Sequence, residues 1–262
     1  MKKRILLVVA YDGTAYHGWQ IQPNGITIES ELNRCLSDLL GEDIKVSGAS
    51  RTDSGVHALG NLAVFDTNSP IPGEKMSYAL NQRLPEDIRI RKSMEVALDF
   101  HPRKTKTRKT YEYRITCAEF PIPTKRLYSH YTYHNPDVEA MKEAARYFIG
   151  EHDFQSFCSV GNQTETTVRT IYDLQVNLEE PVGISVNDEK DIVIRVCGNG
   201  FLYNMVRIIA GTLLDVGLGR KKPEDIPKIL QACNREAAGP TAPAKGLTLI
   251  GYDFMEKSSK RY

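Results

Sequence analysis

Residues 44–66 read IKVSGASRTDSGVHALGNLAVFD. Ile44–Ser47 and Asn61–Asp66 are apolar-rich runs with strand character, and the stretch from Gly48 to Gly60 between them is polar and punctuated by glycine. A loop joining two strands is where a rigid scaffold can present reactive groups. Working toward the N-terminus, Ile5–Val9 is a buried-strand run closed by Tyr11-Asp12-Gly13. A helix is predicted after it: Thr27 suits the N-cap, Ile28, Leu32, Cys35, Leu36, Leu39 and Leu40 recur at helical spacing, and Gly41 ends the run. Toward the C-terminus, a second helix is predicted over about Gly73–Leu84, stopped by Pro85, and Ile88 and Ile90 alternate with charge as in a half-buried strand.

The second half repeats this grammar. Strands are predicted at Thr110–Cys117, Tyr128–His134, Thr170–Leu178, Asp191–Val196 and Leu247–Tyr252. Helices are predicted where Val138, Met141, Ala144, Ala145, Phe148 and Ile149 share a face, at Asn204–Val216 and at Pro223–Ala232. Without strict βαβ alternation the class is α+β with largely antiparallel sheets. The seam falls in Asp99–Lys109, giving an N-terminal half of residues 1–104 and a C-terminal half of residues 105–262.

Composition supports a folded chain. The 262 residues include 34 basic and 33 acidic side chains, a net charge of +1, and 41% are hydrophobic, which argues against bulk disorder. The longest apolar runs, such as Ile5–Ala10, fall far short of the roughly 20 residues that span a bilayer, and Lys2-Lys3-Arg4 leads into too short a stretch for a signal peptide. No membrane association and a cytoplasmic location are expected. Cys35, Cys117, Cys158, Cys197 and Cys233 form no Cys-x-x-Cys pair, so reduced thiols are expected rather than a disulfide framework or a zinc ribbon.

Chemistry concentrates in the opening loop. Arg51 stands two residues before Asp53, where a charge-assisted hydrogen bond could hold the carboxylate ionised, as a nucleophile or base requires. Ser50, Ser54, Asp53 and His57 also allow a hydrolase triad, although such triads rarely come from one loop and no Gly-x-Ser-x-Gly elbow is present. A solvated turn is the bland alternative. Gly13–Gly18 has P-loop spacing but no following Lys, and Gly198-Asn199-Gly200 places Tyr203 where a dinucleotide fingerprint needs its third Gly. His130 and His134 lie four apart on a stretch that reads as a strand, without an evident third ligand. Neither a cofactor nor a metal is expected.

Five of the seven residues Arg103–Lys109 are cationic (Arg103, Lys104, Lys106, Arg108, Lys109), and Tyr111 and Tyr113 follow on a strand. The run is either a solvated linker or a phosphate-contacting stripe beside rings able to stack on unpaired RNA bases, which Arg89, Arg91 and Lys92 could extend. Arg207 sits in the apolar run Met205–Gly211, where an unpaired guanidinium would be too costly, so a carboxylate or a substrate phosphate is required beside it.

Taken in order, several motifs make the chain similar to the TruA family of tRNA pseudouridine synthases over nearly its whole length. They are Tyr11-Asp12-Gly13 with Gly18-Trp19-Gln20, Arg51-Thr52-Asp53-x-Gly55-Val56-His57-Ala58, Arg108-Lys109-Thr110-Tyr111-x-Tyr113, Phe201-x-x-x-Met205-Val206-Arg207 and Ala242–Leu247. The resemblance implies two ferredoxin-like or RRM-like α/β halves around a central basic cleft. It implies a cofactor-free homodimer that isomerises uridine to pseudouridine at positions 38 to 40 in the anticodon arm of tRNA. It makes Asp53 the catalytic aspartate, Tyr111 the residue packed at the uracil and Arg207 the aspartate's partner, with Arg51 contacting RNA or helping to flip the base. Ser50, Ser54, Asn61 and Thr248 stand where the family usually has Gly, Ala, Gln and an aromatic. A related enzyme acting on another RNA site and a non-catalytic RNA-binding module are the alternatives.

Overall fold

The computed structural model describes residues 2–159, 161, 164–179 and 189–255. The chain forms β1 (Lys3–Tyr11), α1 (Ile28–Leu40), β2 (Ser47–Gly48), β3 (His57–Thr67), α2 (Met76–Leu80) and β4 (Ile88–Val96). It continues through β5 (Thr107–Cys117), β6 (His130–Thr132), α3 (Val138–Arg146), β7 (Gly150–Asp153), β8 (Val168–Glu179), β9 (Lys190–Gly198), α4 (Met205–Gly217), α5 (Asp225–Ala232) and β10 (Leu247–Phe254). It is a mixed α+β protein whose strands pair mostly antiparallel.

Two compact units divide it. The first runs to Thr107 and takes back the chain from Thr248 onward, and the second is Arg108–Leu247. This differs from the expected split after residue 104, because β10 returns to pair parallel with β3 through Thr248 opposite His57 and Leu249 opposite Ala58.

In the first unit β1 pairs antiparallel with both β3 and β4. Ile5–Val9 is buried at every position, the expected consequence of a continuous apolar run covered on both faces. α1 begins as anticipated: Thr27 Oγ1 accepts from Ser30 N–H while Ser30 Oγ accepts from Thr27 N–H, and Gly41 closes the helix at φ 66°. The strand expected at Ile44–Ser47 shrinks to β2. The amides of Ile44 and Val46 are taken by Ser37 Oγ (3.0 Å) and Asn33 Oδ1 (2.8 Å), so that segment docks on α1 instead of joining a ladder. β3 starts at His57, four residues before the expected Asn61, because Ala58 pairs with Tyr11. The helix expected over Gly73–Leu84 is a 3₁₀ turn followed by α2, which stops early as the Asn81 amide turns to bond both Ile90 N–H (2.8 Å) and Ile90 O (2.9 Å) of β4.

In the second unit β5, β9, β8 and β7 pair antiparallel in that order, and β6 pairs parallel with β5. β6 is shorter than the expected Tyr128–His134 strand, and β7, a polar Gly-Glu-His-Asp segment, has no hydrophobic alternation by which to anticipate it. α3 is capped by the Asp137 carboxylate, which accepts from Glu139 and Ala140 N–H. α4 is buried at most of its positions and forms the core of this unit. All five cysteines are free thiols, and among the described residues no helix is long and apolar enough to cross a membrane.

Candidate active-site loop and its companions

The loop from Ala49 to Val56 is held from the inside. Ser50 and Thr52 are buried, Arg51 is exposed and Asp53 half-buried, so the chain alternates anchor and presented group. Thr52 O accepts from Trp19 N–H (3.0 Å), Val56 N–H donates to Asp53 O (3.1 Å), and Ser54 Oγ donates to Tyr16 O (3.1 Å). The segment Tyr11–Trp19 thus straps the loop. Two of its glycines are required by the closeness: a Cβ on Gly13 would come within 2.1 Å of Val56 O, and one on Gly18, at φ +83°, within 2.7 Å of Thr52 O. The Tyr11-Asp12-Gly13 and Gly18-Trp19-Gln20 motifs therefore serve the Asp53 loop, a connection that sequence spacing did not reveal.

His57 belongs to this strapping. Its ring is buried, Nδ1 accepts from Gly13 N–H (3.1 Å), and the Asp12 carboxylate lies beside the same nitrogen at 3.1 Å. Ser50 Oγ lies against the Tyr252 hydroxyl and Ser54 Oγ is committed to a backbone carbonyl. Both serine hydroxyls thus have structural tasks.

Tyr111 and Arg207 are in the second unit. Lys109, Tyr111 and Tyr113 share one face of β5. Tyr111 is buried, with its ring edge-on to Phe201 at 5.2 Å. Arg207, half-buried in the first turn of α4, donates from Nε to Ala242 O (2.7 Å) and from Nη1 to Asn204 Oδ1 (2.8 Å), and its own carbonyl accepts from Ala242 N–H. Asn204 adopts the left-handed conformation at φ 62° to open the helix there. Tyr113 donates to Pro243 O (2.9 Å) and lies so close to Gly246 that a Cβ would meet Cζ at 2.7 Å. Burial pushes the Tyr113 phenol well up, against the opposing Arg207 charge, so it acts as a neutral donor. The Ala242–Leu247 motif is explained by these contacts: it is the segment that Arg207 and Tyr113 grip.

The basic run separates into two parts. His101–Thr105 makes a turn, and Arg103, Lys104 and Lys106 are exposed. Arg108 and Lys109 lie inside β5 on opposite faces. Arg108 stacks its guanidinium over the Tyr172 ring at 4.5 Å, whereas Lys109 is on the Tyr111 side. Arg89, Arg91 and Lys92 are exposed on β4, and Arg91 donates to Leu59 O.

Sequence reasoning missed Tyr11, Asn61 and Tyr252 as supports of the loop. The available signal was chemical: a buried Asn or Tyr in an apolar strand needs a hydrogen-bond partner.

A family model described as tRNA pseudouridine synthase matches residues 7–103 and 144–255. The chain belongs to the tRNA pseudouridine synthase family. It is 46% identical over 248 residues to tRNA pseudouridine synthase A of Acetivibrio thermocellus, covering 95% of this chain and 98% of that one. Identity to the enzyme of the same name from Ruminiclostridium cellulolyticum is 48% over 248 residues, and to that from Brevibacillus brevis 46% over 247, with 98% of each covered by 95% and 94% of this chain. A solved archaeal box H/ACA sRNP Nop10-Cbf5 complex aligns with 94% of this chain and 46% of that chain at 11% identity and a TM-score of 0.32, too slight a likeness to add to the assignment. As a member of the tRNA pseudouridine synthase family the chain is an isomerase acting on tRNA.

Proposed function

We propose that this protein converts uridine to pseudouridine in the anticodon arm of tRNA, at positions 38 to 40. The observation that carries the chemistry is the Asp53 loop, in which a carboxylate is presented half-exposed from a buried, internally bonded base. The choice of positions rests on the motif resemblance, and the choice of tRNA on relatives named tRNA pseudouridine synthase A.

The reaction breaks the C1′–N1 bond, turns the uracil and joins C1′ to C5. N1 gains a proton, C5 loses one, and nothing is oxidised or reduced. The target nucleotide must leave its stack to be reached. Asp53 would supply the carboxylate, which can attack C1′, attack C6 of the base or remove a sugar proton. Tyr111 would pack against the detached base, Arg207 would keep the carboxylate ionised, and Arg51 would contact RNA or assist flipping. Exposed Arg103, Lys104 and Lys106, with Arg108 and Lys109, would contact phosphate. A homodimer in the cytoplasm, working without cofactor or metal, completes this reading.

The test is position mapping. Unmodified transcribed tRNA is incubated with the purified protein, and pseudouridine is located by carbodiimide-dependent stops in primer extension. Stops at positions 38 to 40 are expected, whereas stops confined elsewhere would establish a related enzyme with a different RNA site. Light scattering showing only monomer at working concentration would overturn the homodimer.

A further inference from the structure

Beneath the Asp53 loop lies a buried network of neutral groups. Asn61 is 0% exposed, Tyr252 3%, Tyr11 4%, Ser50 6% and Thr52 7%. The Asn61 amide is fully used. Its Oδ1 accepts from Leu62 N–H (2.9 Å), from the Tyr252 hydroxyl (2.9 Å) and more weakly from Ser50 N–H (3.3 Å). Its Nδ2 donates to Ser50 O (2.9 Å) and to the Tyr11 hydroxyl (3.2 Å).

Proton counting then orients the rest. The Tyr252 hydroxyl donates toward both Ser50 Oγ (2.7 Å) and Asn61 Oδ1 (2.9 Å), two acceptors that share its one proton. Tyr11, accepting from Asn61, has its own proton for Thr52 Oγ1 at 2.7 Å. The network therefore grips the loop at Ser50 through its backbone and side chain and at Thr52 through its side chain. Those are the inward residues that alternate with Arg51 and Asp53. Three strands supply the grip: Tyr11 from β1, Asn61 from β3 and Tyr252 from β10.

We propose that Asn61, Tyr252 and Tyr11 are positioning residues which fix the Asp53 carboxylate for reaction by holding Ser50 and Thr52. The inference rests on Asp53 being the catalytic carboxylate. No member of the network carries a formal charge in this arrangement, so it acts on geometry and leaves the ionisation of the site unchanged. Being buried, it leaves the affinity for RNA unchanged as well. Misplacing a reacting group by about 1 Å can cost on the order of a hundredfold in rate.

The test uses the full chain. Tyr252→Phe and Tyr11→Phe each remove one oxygen and keep the ring. Single-turnover pseudouridine formation at saturating enzyme should fall about tenfold in each, with tRNA Kd within about twofold and the midpoint of the pH–rate profile unmoved. Amide exchange over residues 51–56 should quicken about tenfold while the rest of β1 and β3 keeps its protection. Thr52→Val should join the tyrosine variants, and Thr52→Ser should recover the rate to within about threefold of the parent, since only the latter keeps the hydroxyl. Folded tyrosine variants with the parental rate, or with unchanged exchange over 51–56, would overturn the proposal. If either tyrosine variant does not fold, Thr52→Val against Thr52→Ser decides. If the parent protein makes no pseudouridine in tRNA, the functional reading fails, and the exchange measurement alone decides whether the network holds the loop.

Discussion

The Asp53 loop and the basic run Arg103–Lys109 are both short, polar and rich in groups able to touch RNA, yet they fold in opposite ways. In the loop, Ser50 and Thr52 are driven inward and bonded to strands, so Arg51 and Asp53 are offered from a rigid base. In the run, Arg103, Lys104 and Lys106 lie exposed on and just beyond a turn, and Arg108 and Lys109 are separated onto two faces of β5. The difference matches two physical tasks. Reaction at a bond needs a group placed to a fraction of an ångström. Phosphate attraction falls off slowly and tolerates mobile side chains.

The sharpest separation of the two regions comes from Asp53→Asn. The amide keeps the shape but neither attacks carbon nor takes a proton, so turnover should fall by roughly 10³-fold or more while tRNA Kd stays similar or tightens slightly. Arg207→Ala should also lose activity, with folding followed by circular dichroism because its hydrogen bonds to Ala242 and Asn204 are lost too. If the two act as a unit, the double variant should be little worse than Asp53→Asn alone. Readily measured turnover by a folded, deamidation-free Asp53→Asn protein would break the comparison at its root.

Asn61→Leu comes next. It strands the Ser50 backbone groups in a buried site and should lower the unfolding free energy by about 3 kcal/mol in urea titrations. A loss under about 1 kcal/mol would mean that the loop is held by its strap alone.

The basic run should respond through salt. Lys104→Ala with Lys106→Ala should flatten the slope of log K against log salt by about 1 to 2 with little change in melting temperature. Arg108→Ala should do less to that slope and cost about 0.5–1 kcal/mol of stability from its contact with Tyr172. An equal change of slope for Arg108→Ala and Lys104→Ala would show that the run works as one stripe. The smallest effect is expected from dialysis against a chelator, which should leave isomerisation by the parent protein unaltered with the tRNA fold checked separately; loss of turnover restored by a divalent ion would contradict it.

Signals carried by neighbouring residues could be read before any fold was known. α1 was legible from cap to cap, because Thr27, the apolar spacing and Gly41 act within a few residues of the backbone they control. The Asp53 loop stood out for the same reason, its groups being contiguous. The ends of β3 and α2 were not legible, since Ala58 finds its partner in Tyr11 and Asn81 finds its partner in Ile90.

What the sequence by itself determined was the α+β class, the family motifs and the residue types available for chemistry. Tertiary structure alone decided that Ile44 and Val46 dock on α1, that β10 returns to pair with β3, and that Tyr11, Asn61 and Tyr252 meet under residues 50–52. The physical reason is the range of the information. Caps, turns and periodicity are short-range preferences of the chain. The partner of a buried amide or phenol is chosen by packing between segments up to about 200 residues apart, as for Ser50 and Tyr252 with a separation of 202.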